Sequence, residues 1–240
     1  MWCEIFIRLL LAHVIGDFLF QTQKWCAEKL GQGLRCKALY FHSGIILILS
    51  WIAIWSWSAW WIAVIIGLSH LLIDALKKKN NLCSFVLDQL AHIICLIIIA
   101  YITGLLLENG MVVYGTVPLE ANAILYALVF LVNAKPSNIL IKHLLDAYSV
   151  RNKNSDCIGK NSNDEIKSGK LIGNIERWLI IIFVLCGQYD AIGFLIAAKS
   201  IIRYKEGDTE KTEYVLTGTL LSVFIAVISG LFLKLNIFVS

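Results

Sequence analysis

The sequence predicts an all-α fold: a polytopic membrane helix bundle of about eight transmembrane helices with both termini outside. Three observations carry that expectation, namely the composition, the spacing of the apolar runs, and the placement of Lys and Arg between them. Of the 240 residues, 58% are hydrophobic and 16% charged, with a mean hydropathy of +0.74. Soluble domains lie nearer about 45–50% apolar and about 25% charged, so a water-soluble reading is poor. Apolar runs fall at 2–21, 40–56, 58–76, 84–107, 121–134, 173–187, 189–203 and 213–234. A helix crossing about 30 Å of hydrocarbon needs about 20 such residues, which leaves no room for a large soluble domain.

Basic residues alternate between the connections. Lys24, Lys29, Arg35 and Lys37 lie in the first, Lys77, Lys78 and Lys79 in the third, Lys135, Lys142, Arg151, Lys153, Lys160, Lys167 and Lys170 in the fifth, and Arg203, Lys205 and Lys211 in the seventh. The second, fourth and sixth hold almost none. The positive-inside rule therefore assigns every odd-numbered connection to the cytoplasm of a bacterial inner membrane. Such loops account for the net charge of +4, and no nucleic-acid partner is expected. The seven cysteines are scattered with no CxxC pair, which indicates neither a disulfide framework nor a zinc ribbon. Glu4 and Arg8 interrupt the first run, so a cleaved signal peptide is not expected.

Taken in order, the first run ends on His13, Gly16 and Asp17, the glycine permitting close helix approach. The second begins with His42. Trp51, Trp55, Trp57, Trp60 and Trp61 crowd the turn into the third, where an outer-interface aromatic belt belongs. The third run ends on His70, Asp74 and Lys77, and the fourth starts with Asp88, Gln89 and His92. After the fifth run, the segment from Pro136 to Tyr148 mixes apolar residues with Lys142, His143 and Asp146, which predicts a helix on the inner surface. Residues 151–170 are polar and read as a linker. The expected organisation is thus a five-span module at 1–150, a cytoplasmic linker at 151–170 and a three-span module at 171–240.

Three His/Asp pairs stand four residues apart: His13 with Asp17, His70 with Asp74, and Asp88 with His92. At that spacing two side chains share one helix face. With the spans oriented as above, these six groups and His42 reach a similar depth. Ionisable groups inside a membrane are costly and normally face a bundle interior, paired or functional. Each pair alone has a plainer reading as a helix-stabilising contact. Together, four imidazoles and three carboxylates supply ligands for one divalent ion, or for two sharing a bridge. Zinc is the first expectation, and manganese and iron accept the same ligands.

Gln21 and Gln89 are expected to orient a ligand or bound water, and Lys77 to meet a phosphate or carboxylate. In the last three spans, Arg177, Lys199 and Arg203 form a candidate cationic pocket for an anionic headgroup. Their plainer reading is pairing with Glu176 and Glu213 to hold helices together.

The segments HVIGDFLFQ (13–21), HLLIDALK (70–77) and DQLAH (88–92) resemble a bacterial and phage membrane family catalogued as domain of unknown function 3307. AIGFLIAAKSIIRYKE and EYVLTGTLLS resemble segments of its longer members. More distantly, the His/Asp motifs are similar to those of membrane-bound metal-dependent hydrolases, which implies hydrolysis by analogy. The leading expectation is a metal-dependent hydrolase acting on a lipid or lipid-linked phosphate or acyl ester at the cytoplasmic face. His13, Asp17, His42, His70, Asp74, Asp88 and His92 would hold the metal, with Asp17 or Asp88 as general base. A transporter or ion-coupled carrier using the same cluster is one alternative. A non-catalytic assembly or defence component with a structural metal, forming homo-oligomers or docking a cytoplasmic partner, is another.

Overall fold

The eight apolar runs are helical over most of their length in the computed structural model, which describes residues 2–111, 120–147, 162–203 and 209–235, with side chains at 162–168, 202–203 and 209–215 left aside. The helices are α1 (Trp2–Val14), α2 (Gln23–Gln32), α3 (Lys37–Ile54), α4 (Trp60–Leu76), α5 (Leu82–Glu108), α6 (Ala121–Val132), α7 (Lys135–Ala147), α8 (Ser162–Cys186), α9 (Tyr189–Arg203) and α10 (Thr209–Leu235). No strand occurs among the described residues. Five stretches are long and apolar enough to cross a membrane: Lys37–Ile54, Trp57–Leu76, Leu82–Glu108, Ala121–Ala147 and Leu216–Leu235. Their outward faces carry large apolar side chains such as Ile48, Leu72, Ile98 and Phe224. A surface of that kind suits acyl chains and not water.

The chain divides into two compact units between Leu131 and Val132. In the first, α1 packs on α3 and α5, and α4 packs on the same two helices, which closes a four-helix ring. Ile5, Leu9, Ile46, Ile62, Ile66 and Leu96 fill its interior. Short connections make neighbours antiparallel. The α3–α4 turn reverses at Trp55, whose left-handed φ of 52° ends α3 with its N–H bonded to the Trp51 carbonyl. At the opposite end Thr22 and Asn81 cap α2 and α5 by accepting from Trp25 N–H and Ser84 N–H. Alternation of direction then places the end of α1, the start of α3, the end of α4 and the start of α5 at one end of the ring.

Two features there differ from the sequence expectation. Residues Ile15–Phe20 continue α1 as a π-helix, the wide winding that recurs at functional sites. The first connection is not a loop, because α2 occupies most of it and packs on α3. Trp25, Leu71 and Ala75 lie against a small core of Cys36, Ala38 and Leu39.

In the second unit α8 packs on α9 and α10, and α7 packs on α10. The unit begins before the expected boundary at residue 150 because α7 belongs to it; Leu145 meets Gly218 at 3.5 Å from its ideal Cβ position. Residues 151–161 of the expected linker lie outside the described residues, while 162–170 are the first turns of α8.

Candidate metal centre

One end of the four-helix ring gathers polar groups from four helices. His13 and Asp17 come from α1 and its π-turn, His42 from α3, His70 and Asp74 from α4, and Asp88 and His92 from α5. The imidazoles are buried, from 0 to 3% exposed. His70 stacks on His92 with ring centroids 4.1 Å apart, and His13 lies 4.9 Å from His92 and 5.4 Å from His70. His42 closes the group at 5.0 Å from His70.

The carboxylates thread between the rings. Asp17 Oδ1 lies 3.0 Å from both His42 Nε2 and His70 Nε2. Five further His–Asp separations run from 3.7 to 3.9 Å, too long for hydrogen bonds. Accordingly His13 Nε2, His42 Nδ1, His70 Nδ1, His92 Nε2 and Asp88 Oδ1 are buried without hydrogen-bond partners. Each such group forfeits about 1–3 kcal/mol of solvation unless something meets it. Three sets of side chains bring ligand atoms within 4.8 Å of one another: His13/His70/His92, Asp17/His42/His70 and Asp74/Asp88/His92.

These separations suit a shared ion. Two ligands each about 2.1 Å from a tetrahedral centre lie about 3.4 Å apart, within the observed span of 3.0 to 3.9 Å. The donor set of imidazole nitrogen and carboxylate oxygen suits zinc, manganese or iron. On the membrane side a small cavity lined by His13, His70, His92, Ser69, Cys95, Ile46, Ile66 and Leu96 has room for one water-sized species.

Gly16 is what allows the π-turn to lie against α3. A Cβ there would stand 2.2 Å from Ile46 Cδ1. Gln89 reaches Asp17 Oδ2 at 3.3 Å, so it braces that carboxylate. Gln21 ends the π-turn, its backbone N–H bonding the Gly16 carbonyl at 3.1 Å. Lys77 donates to Asp88 Oδ2 at 2.7 Å and is thus engaged by a carboxylate of the chain itself.

Lys29, read from sequence as an orientation signal, is buried and ion-paired with Asp74. Sequence signals mark only the helix that carries it, namely the cap Thr22 and the glycine Gly33 that bracket α2.

The second unit holds the other three predicted residues. Arg177 is 2% exposed and its guanidinium donates to neutral acceptors: the Asn133 carbonyl at 2.6 Å, Ser222 Oγ at 2.9 Å, and Asn138 Oδ1 and Asn174 Oδ1 at 2.7 Å each. Lys199 pairs with Glu176. The side chain of Arg203 lies outside the described residues. Arg177 is therefore a pin joining the α6–α7 turn to α7, α8 and α10, and its hydrogen bonds leave little for a headgroup.

Residues 5–117 match a family model described as a protein of unknown function, DUF3307. The match spans α1 to α5 and all seven candidate ligands, and it ends before the C-terminal segments. No curated protein and no solved structure matches the chain.

Proposed function

We propose that this chain, whose residues 5–117 form a domain of the DUF3307 family, is a membrane-embedded metal-dependent hydrolase. In this reading it works at the cytoplasmic face of a bacterial inner membrane on a phosphate or acyl ester of a lipid. The observation that supports it is the convergence of four buried imidazoles and three carboxylates, several of whose donor atoms have no hydrogen-bond partner. Asp17, His42 and His70 would hold a divalent ion with His13 beside them. Such an ion supplies Lewis acidity and makes a bound water a nucleophile near neutral pH. Gln89 keeps Asp17 in place. Asp88 is the carboxylate suited to accept a proton, since Lys77 holds its Oδ2 while Oδ1 is unpartnered.

Metal content of the detergent-purified protein tests the centre: at least one equivalent of zinc, manganese or iron is expected, with less than a tenth of that in His42→Ala and His70→Ala. A metal-free wild type overturns the reading. Hydrolysis is tested with chromogenic phosphate and acyl esters in mixed micelles. Asp88→Asn is expected to lose about 100-fold or more in kcat, the usual weight of a general base.

The small size of the cavity beside His13, His70 and His92 favours a second reading in which the metal is purely structural. Metal retention with no turnover of any ester, and a loss of thermal stability on chelation, would select that version.

A further inference from the structure

The carboxylate corner of the centre already has cationic partners. Lys29 reaches down from α2 to Asp74 Oδ2, with its side chain 9% exposed. Lys77, at the end of α4, holds Asp88 Oδ2 at 2.7 Å. Both acceptors belong to the set Asp74/Asp88/His92, whose ligand atoms are close enough for an ion of their own. The other corner is different: Asp17 meets two imidazoles and a glutamine amide, with no lysine among the contacts described for it.

Resting on the metal reading above, we infer that Lys29 and Lys77 are resident cations that occupy the Asp74/Asp88 corner, so that the centre holds a single divalent ion at Asp17, His42 and His70. Charge decides the count. With neutral imidazoles, three carboxylates and two ammonium groups leave one negative charge. One divalent ion turns this into one positive charge, and a second would raise it to three. Uncompensated charge of that size is costly in a buried site. An ammonium group is a compact point charge on a flexible stem, able to do at a carboxylate what a second ion would do.

Metal stoichiometry on the purified full-length chain tests this. Wild type is expected to hold about one equivalent at saturation, and Lys29→Met/Lys77→Met about two, the second ion replacing the lost ammonium charge. Lys29→Arg/Lys77→Arg, which keeps both charges, should stay near one. Asp17→Asn should lose the ion and Asp88→Asn should keep it. Two equivalents in wild type, one in the double Met variant, or loss of the ion in Asp88→Asn would overturn the inference. Should the double variant fail to fold, the wild-type count and the Asp88→Asn result still decide. Absence of any metal from wild type would instead reject the metal reading itself.

Discussion

Asp17 has to stand between two imidazoles on other helices, and its neighbour Gly16 makes that approach possible. A methyl group at Gly16 would collide with Ile46, which is fully buried. Because the clash falls on the far end of a side chain, the core can shift, and overpacking of this kind costs about 1–3 kcal/mol. Gly16→Ala is therefore expected to lower the thermal midpoint in detergent and to reduce bound metal by pushing Asp17 outward. An unchanged midpoint with full metal would contradict this. At this scale much was readable from the sequence. The i, i+4 spacing and the alternating direction of the spans suffice to bring His13, His70 and Asp88 to one end. Lys29 was not readable, because a lysine in a polar connection looks the same whether it meets water or a carboxylate from a residue 45 positions away.

Helices in a membrane associate through close packing and hydrogen bonds, since lipid tails are as apolar as leucine. The α8–α10 contact shows both. Gly230 lies so close to Val184 that an added Cβ would stand 2.8 Å from the valine Cβ, at the root of a side chain that cannot swing away. Arg177 supplies a hydrogen bond, to Ser222 Oγ at 2.9 Å. Gly230→Leu and Arg177→Lys should each destabilise the second unit, the latter because one ammonium cannot serve acceptors spread around a planar fork. Stranding two or three of them forfeits about 1–3 kcal/mol apiece. Thermal unfolding followed by aggregation of the purified variants measures this, and a native-like midpoint for Arg177→Lys would refute the pinning role. The helices themselves were legible from their apolar runs. The π-turn was not, since no local pattern in Ile15–Phe20 sets it apart from the helix before it. Helix α2 was masked because its mean character is polar and only its caps mark it.

For the molecule as a whole, apolar length fixes the all-helical membrane architecture. Orientation rests on charge: Lys24 in α2, with its side chain 83% exposed, stands at the centre's end of the ring, whereas Trp57 stands at the other. Single-cysteine variants with a thiol at Cys26 or, through Trp57→Cys, at position 57 should react with a membrane-impermeant maleimide from opposite sides, the first only in inverted vesicles. The same sidedness at both positions would refute the antiparallel crossing of α3, and labelling of Cys26 from outside would invert the topology. The division between units was less legible than the spans. Composition marks the polar stretch after residue 150, but the break comes before α7, whose packing on α10 no local pattern announces. The spread of the ligands over four helices also sets a schedule for biosynthesis. Since His92 is the last of the candidate ligands, a nascent chain that stops short of α5 carries an incomplete set, and on the proposed metal reading loading of the ion waits until the ribosome has passed it.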